Sequence, residues 1–186
     1  MKRSIGPVEL LVVCIGLAFV AGTVGSTPVD PAKMPEPVAN TFKTMFPNAA
    51  IDKLDVEEEE GVMVYDFEFK AGGKEKEADI AGDGTMMEST LVIVAQDIPA
   101  AAMKTIKKTA GKAKLGRLEW IASYYKPEGG KLVQLPKEQI SYAAEMNKGD
   151  KWAEVFVDPT GKITEKPVWA PKPAVTSATT GGQTGK

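Results

Sequence analysis

Hydrophobic residues follow two different periods along the chain. Pro35 is suited to the first turn of a helix. Val38, Phe42 and Phe46 then recur every four residues, a spacing that predicts an amphipathic helix. Between residues 63 and 70, apolar or aromatic side chains alternate with mostly polar ones, which predicts a strand with one aromatic face and one wet face. The side chains predicted to share one core are Phe42, Phe46, Tyr65, Phe67 and Phe69.

The same succession of patterns occurs a second time. Residues 35–54 align with residues 99–118 at a constant offset of 64. Residues 65–88 align with residues 142–165 at an offset of 77, with seven identities in 24 positions. The change of offset places 13 extra residues in the second copy, inside the hairpin that follows its helix. The chain therefore contains an internal repeat with one insertion.

The repeat predicts an α+β fold. Each copy reads as a helix followed by three or four antiparallel strands, so the chain holds two tandem helix-plus-antiparallel-sheet units of αββββ type. Units of about 60 residues are marginal alone, and we expect the two to pack as one body. The first unit spans residues 34–95, and the second spans residues 98–169 with its 13-residue hairpin insertion. Residues 171–186 are rich in Pro, Thr, Ser and Gly, which predicts a disordered tail.

The first 25 residues have the pattern of a cleaved secretory signal peptide. Lys2 and Arg3 precede an apolar run over residues 10–21, and small residues follow it. Twelve helical residues rise about 18 Å, less than the roughly 30 Å core of a membrane, so a permanent anchor is the weaker alternative. The sequence predicts a periplasmic or secreted protein with no membrane span after signal removal.

The amino-acid composition excludes most kinds of catalytic site. The chain has no histidine, and its single cysteine, Cys14, lies in the predicted signal. Histidine-dependent triads, thiol nucleophiles, zinc sites and disulfides are therefore excluded from the exported chain. Without Lys2, Arg3 and Glu9, the 23 basic and 25 acidic residues become 21 and 24, with no long block of one sign. We predict no nucleic-acid partner, no cofactor, no metal site and no catalytic residue.

The order of motifs resembles the PepSY-like family, in particular its β-lactamase-inhibitor-like branch of exported proteins. The resemblance rests on a proline-led helix ending in Phe46-Pro47, then Ala49-x-Ile51, an alternating strand, and a hairpin closing on Gly84. It extends over residues 34–165, although Gly111 replaces the usual proline in the second copy. The resemblance implies an exported, non-catalytic binding or inhibitory module and assigns no functional residues.

The insertion carries the strongest candidate for a partner-binding surface. Tryptophan and tyrosine dominate protein interfaces, and this segment concentrates them beside two lysines. The candidate residues are Trp120, Tyr124, Tyr125, Lys126, Lys131 and Leu132. The predicted partner is an extracytoplasmic protein or peptide, bound through the sheet face and a protruding inserted hairpin. The structural alternative is that Trp120 and Trp152 fill the core and the tyrosines cover a sheet edge.

Carboxylates motivate an alternative function. The run of acids at residues 57–60, with Asp66 and Glu68, suggests an acidic envelope protein that binds a small ligand or a cation, although such a run is typical of a solvated strand end. Glu68 and Glu145 resemble the acid pair of a glycosidase, but the repeat explains both. The residues around Asp79 lack the ligand spacing of a calcium loop.

Overall fold

The computed structural model describes residues 27–172. The predicted signal peptide over residues 1–25 and residues 173–186 of the predicted tail lie outside this range. Two residues that the sequence assigned to the tail lie inside this range: Pro171 belongs to a short strand, and Lys172 follows it. Within the described range, no helix has the length and apolar character needed to cross a membrane.

The fold is α+β, with two helices and a large antiparallel sheet. The helices are α1 (Glu36–Met45) and α2 (Ala100–Ala110). The first strands are β1 (Thr27–Pro28), β2 (Ala50–Glu59), β3 (Val62–Ala71), β4 (Lys74–Ala81) and β5 (Met86–Val92). The later strands are β6 (Lys114–Glu128), β7 (Lys131–Lys148), β8 (Lys151–Val157), β9 (Ile163–Glu165) and β10 (Ala170–Pro171). Short 3-10 turns at Pro31–Lys33 and Ala95–Asp97 precede the helices.

The sheet is continuous along the whole described chain. The strands lie in the order β1-β2-β3-β4-β5-β6-β7-β8-β10, and β9 also pairs with β8. All pairs are antiparallel, and β5 joins β6 directly. The stretch α1–β5 is therefore linked to the stretch α2–β9 by main-chain hydrogen bonds as well as by sequence.

The helix boundaries follow the predicted punctuation. Pro35 and Pro99 occupy the N-cap positions, so α1 and α2 each begin at the next residue. The last turn of α2 ends at Gly111, whose φ of 56° lies in the left-handed region that favours glycine. The last turn of α1 ends at Phe46, one residue before Pro47.

The first core lies between α1 and strands β2 to β4. Phe42 stacks on Phe67 with ring centroids 4.3 Å apart and meets Phe69 edge-on at 5.0 Å. Phe67 is fully buried, and the half-buried Phe46 and Tyr65 pack against the same cluster. The predicted core of these five aromatic residues is confirmed.

A second core lies between α2 and strands β7 and β8. Ile106 of α2 is fully buried against a sheet surface that includes Tyr142, Ala144 and Met146. These three residues have the strand parity that the repeat predicted for them. Both cores lie on one face of the sheet, so the opposite face is free of helices; we call it the open face.

Two hydrogen bonds occupy corresponding places in the aligned segments. The Thr41 hydroxyl donates to the Gly84 carbonyl at 2.7 Å, and the Thr105 hydroxyl donates to the Gly161 carbonyl at 2.8 Å. The threonines differ by the offset of 64 and the glycines by the offset of 77. Each bond ties the middle of a helix to the turn after the third strand that follows it.

One part of the predicted strand parity is wrong. Met63 was expected on the buried face but is 45% exposed, whereas Val64, expected on the wet face, is fully buried. Val64 is covered because the inserted hairpin packs on the open face at this point. Tyr125 and Leu132 of the hairpin contact a small cluster formed by Val64, Ala81 and Met87.

The inserted hairpin is formed by the long strands β6 and β7 and does not protrude freely. β6 and β7 have 15 and 18 residues, against 10 each for β2 and β3. At its tip, the Gly130 N–H donates a 2.7 Å hydrogen bond to the Glu60 carbonyl in the β2–β3 turn. Because β2 and β7 are far apart in the strand order, the sheet must curl to bring these two turns together.

Candidate functional site

A hollow of about 480 Å³ lies on the open face. It is flanked by carboxylates from six strands, β3 to β8, together with two basic side chains. The eight carboxylates are those of Asp66, Glu68, Glu77, Asp79, Glu88, Glu119, Glu145 and Glu154. The basic side chains are those of Arg117 and Lys172. The hollow is therefore strongly acidic in composition.

Strand register aligns three acids of the hollow with a fourth, Asp55, across neighbouring strands. Asp55 on β2 lies opposite Asp66 on β3, Asp66 lies opposite Asp79 on β4, and Asp79 lies opposite Glu88 on β5. Opposed residues share a face of the sheet, so this row, which we call the carboxylate ladder, lies on the open face. At its end, the Ser123 hydroxyl of β6 donates a 2.6 Å hydrogen bond to Glu88.

Lys53 neutralises one side of the open face. Its Nζ lies 2.6 Å from Asp55 Oδ2 and 3.0 Å from Glu68 Oε1. Partial burial lowers the pKa of Lys53, but the hydrogen bonds with the two carboxylates outweigh that effect and raise it above its ordinary value. The second oxygen of Asp55, Oδ1, is buried without a hydrogen bond.

Arg117 has a comparable arrangement on β6. Its guanidinium pairs with Glu77 and Glu119, and its backbone N–H donates to Glu145 Oε2 at 3.2 Å. Arg117 aligns with Lys53 at the offset of 64. The adjacent Gly116 leaves the room that the Glu145 carboxylate occupies, since a Cβ there would collide with it.

The hollow also has an apolar wall. Trp152 and Phe156 of β8, with Ile121 of β6, line it beside the carboxylates. Phe156 and Ile121 are buried, and Trp152 is half-buried. An aromatic surface next to carboxylates suits a cationic group on an apolar stem, because the stem packs on the ring while the charge meets the acids.

Burial raises the pKa of several carboxyls around the hollow, and neighbouring carboxylates raise it further. The pKa reaches about 7 at Asp66, Glu77 and Glu88. It reaches about 8 at Glu154, where burial acts with Glu119. Burial followed by the charges of Asp66 and Glu88 raises the pKa of Asp79 well above its ordinary value.

The residues proposed from the sequence for partner binding are dispersed by the structure. Trp120 packs against the core under α2. Tyr125 and Leu132 pack on the cluster of Val64, Ala81 and Met87. Their role in binding a partner stays a prediction.

The three other candidates lie outside the buried clusters. Tyr124 is half-buried, and its pKa is raised by burial and by a hydrogen bond with Glu138. Lys126 pairs with Glu128 at 2.6 Å, and Lys131 is exposed beside the hairpin tip. These residues border the hairpin, and their part in binding likewise stays a prediction.

We expect the two tyrosines to differ in their effect on stability. Tyr125→Ala should lower the free energy of unfolding by about 1–3 kcal/mol, because it removes the ring that covers Val64. Tyr124→Ala should cost less than about 1 kcal/mol, since this side chain belongs to none of the buried clusters. Urea denaturation of both variants measures the difference, and equal losses would contradict the described packing of the hairpin.

Sequence reasoning identified only part of the hollow. The sequence singles out Asp66, Glu68 and Glu145 as candidate acids, whereas it does not single out Arg117 or Glu154. The available signal was the period-2 placement of acids along each strand, as at residues 75, 77 and 79 of β4. Between Thr27 and Lys172, no group of three or more acidic side chains is arranged so as to hold a metal ion.

Comparison with known proteins gives structural matches only. No family model matches the chain, and no curated protein sequence matches it. A candidate periplasmic protein from Bacteroides eggerthii superposes with a TM-score of 0.54 at 16% identity, over 73% of this chain and 88% of the other. A DUF2874 family protein from Bacteroides uniformis gives 0.50 at 20% identity, over 70% and 86%.

A third match is a BLIP-like protein from Bacteroides fragilis. It superposes with a TM-score of 0.50 at 13% identity, over 77% of this chain and 92% of the other. At these identities the likeness concerns the fold. The chain therefore has the fold of DUF2874 family and BLIP-like proteins.

Proposed function

We propose that this protein is an exported, non-catalytic binding module that engages a partner protein or peptide through basic side chains seated on its open face. The observation that carries the proposal is the hollow, where eight carboxylates and two basic side chains, Arg117 and Lys172, lie beside an aromatic wall, and Lys53 pairs with Glu68 at its edge. A lysine or arginine of the partner would pair with the acids and lay its methylene stem against Trp152. Inhibition of the partner is one possible outcome of such binding.

The fold supports export and binding. Structural neighbours include a candidate periplasmic protein and a BLIP-like protein, and the likeness extends over most of both chains. We include in this proposal that residues 1–25 are a cleaved signal peptide and that the two units are PepSY-like repeats. The equivalent bonds from Thr41 to Gly84 and from Thr105 to Gly161 support a tandem repeat.

The inserted hairpin supplies the margin of the proposed surface. Its packing on Val64 closes one end of the open face, and its outer residues Tyr124 and Lys131 would contact the periphery of a bound partner. Peripheral contacts of this kind contribute less to affinity than groups buried at the centre. We therefore place the main energetic contribution in the hollow and a smaller one on the hairpin.

The proposal predicts the effect of removing two charges. Glu68→Gln combined with Glu145→Gln should weaken binding of a lysine–alanine peptide about fivefold to tenfold, because both acids line the hollow. Isothermal titration calorimetry at low salt and pH 8.5 measures the affinity, and binding should weaken as salt is added.

A matched control removes two charges elsewhere. Glu36 and Glu58 are exposed and lie outside the hollow, so Glu36→Gln with Glu58→Gln should leave the affinity unchanged. Equal weakening by both double variants would mean that the affinity depends only on net charge, which would contradict binding in the hollow. A wild-type protein that does not bind the peptide would exclude the proposed function.

A small organic cation is the second candidate ligand. The volume of about 480 Å³ falls in the range of small-molecule sites, and the same acids and aromatic wall would hold a polyamine. Spermidine is the probe that separates the two candidates. Tight binding of spermidine with weak binding of the peptide would favour the small ligand over a protein partner.

A further inference from the structure

The carboxylate ladder places like charges directly opposite each other on four neighbouring strands. Adjacent strands lie about 4.8 Å apart, and like charges in opposed positions destabilise a sheet. Among residues 27–172, only its two ends have polar side-chain partners, Lys53 at Asp55 and Ser123 at Glu88. The middle of the ladder therefore needs protons or an external cation to become neutral.

Asp79 is the least compensated member. Its side chain has no hydrogen bond or ion pair with any residue between Thr27 and Lys172, although it borders the hollow and a smaller cavity under the hairpin. The charged groups around it are Asp66 on β3, Glu88 on β5, Glu77 on its own strand, Glu59 on β2, and Arg117 and Lys126 on β6. Three basic side chains border the two cavities: Arg117 is paired with Glu77 and Glu119, Lys126 is paired with Glu128, and Lys172 lines the hollow without an ion pair to Asp79.

We infer that the ladder makes binding on the open face pH-responsive: it holds protons when the face is empty and releases them when a basic partner binds. Proton release on binding, which we call the bound-state half of the inference, rests on the proposed function. Proton retention by the empty face, which we call the free-state half, depends only on the ladder itself. A partner's ammonium or guanidinium group favours the ionised carboxylates, so the protons leave to solvent as the cation arrives.

The carboxyl pKa values support the free-state half. Burial and like charges raise the pKa of Asp66 and Glu88 to about 7 and that of Asp79 well above its ordinary value. In the unfolded chain these groups titrate near pH 4. Between about pH 4 and pH 7 the folded protein therefore holds more protons than the unfolded one. Stability should be highest at the acidic end of this window and should fall as the pH rises through 7.

Thermal unfolding tests the free-state half without any ligand. The wild-type melting temperature at pH 8 should lie about 5 °C or more below that at pH 5. Asp66→Asn should raise the melting temperature at pH 8 and change it little at pH 5, because the pKa of Asp66 is about 7, so the amide replaces a mostly ionised carboxyl at pH 8 and an uncharged one at pH 5. Glu58→Gln, which removes an exposed charge outside the ladder, should have no such pH-dependent effect.

A melting temperature that rises or stays level from pH 5 to pH 8, or a lower value for Asp66→Asn than for the wild type at pH 8, would overturn the inference. Carbon-13 NMR titration of the wild-type side-chain carboxyls provides a second measurement that needs no variant. Asp66 and Glu88 should titrate near pH 7, and midpoints near pH 4 would overturn the free-state half.

Calorimetry tests the bound-state half. Titration with the lysine–alanine peptide at pH 7, in two buffers of different ionisation enthalpy, should show release of about one proton or more per peptide. Binding without proton release would overturn the coupling and leave the proposed function standing. No binding at pH 8.5 would overturn the proposed function and the coupling together, whereas the melting and NMR results still decide the free-state half.

Discussion

Gly161→Ala is expected to destabilise the protein by about 3–5 kcal/mol. Gly161 has a φ of 91°, which disfavours any L side chain, and a Cβ at this position would lie 2.7 Å from the Ala101 carbonyl oxygen. That oxygen belongs to the first turn of α2, so the collision can be relieved only by moving the helix or the turn. The expected result is a lower urea midpoint with an unchanged slope.

Gly149 provides the matched control. It also has a positive φ, 63°, but nothing lies within 4 Å of the position where its Cβ would stand. Gly149→Ala should therefore cost only the backbone conformation, about 1–2 kcal/mol. Equal losses for the two variants would contradict the close approach between the β8–β9 turn and α2.

Phe67→Ala is expected to cost about 3–5 kcal/mol, because it would open a cavity in the middle of the first core. Phe67 is fully buried and stacks on Phe42, with ring centroids 4.3 Å apart. Chemical denaturation monitored by circular dichroism measures the loss. A cost below about 1 kcal/mol would show that this strand face does not meet α1.

Met63 on the same strand is the control for this variant. Its side chain is 45% exposed, so Met63→Ala should cost less than about 1 kcal/mol. The contrast between the two positions separates burial under the helix from the general effect of shortening an apolar side chain in β3.

Local patterns were sufficient to predict the helices and the main core. Pro35 and Gly111 act through their own backbone preferences, and the alternation around Phe67 reflects the strand geometry itself. Each of these effects needs only a few neighbouring residues. For this reason the α+β class and the shared aromatic core could be inferred before any tertiary contact was known.

The hollow depends on contacts that no local pattern contains. The ladder requires Asp66 to lie opposite Asp79, which depends on the length of the β3–β4 turn. It also requires Asp79 to lie opposite Glu88, next to the irregularity between Asp79 and Ile80 in the β4–β5 pairing. The burial of Val64 depends on where the inserted hairpin folds. The sequence identified the insertion but not where it packs. The hydrogen bond from Gly130 to Glu60 shows that its tip lies against the β2–β3 turn.

The acids of the ladder occupy strand positions where like charges are unfavourable. Strand positions directly opposite each other usually avoid like charges, and neither the cores nor the helices require Asp66 or Asp79. Residues that oppose local stability in this manner are typical of functional sites. This supports the assignment of the open face, rather than the hairpin alone, as the principal binding surface.

The most direct test of that assignment is NMR mapping of the lysine–alanine peptide on the protein at pH 8.5. The account predicts that the largest amide shift changes occur at residues lining the hollow, such as Glu77, Asp79 and Trp152, with α1 and α2 nearly unaffected. Changes concentrated on the helices, or confined to Tyr124 and Lys131 of the hairpin, would contradict it.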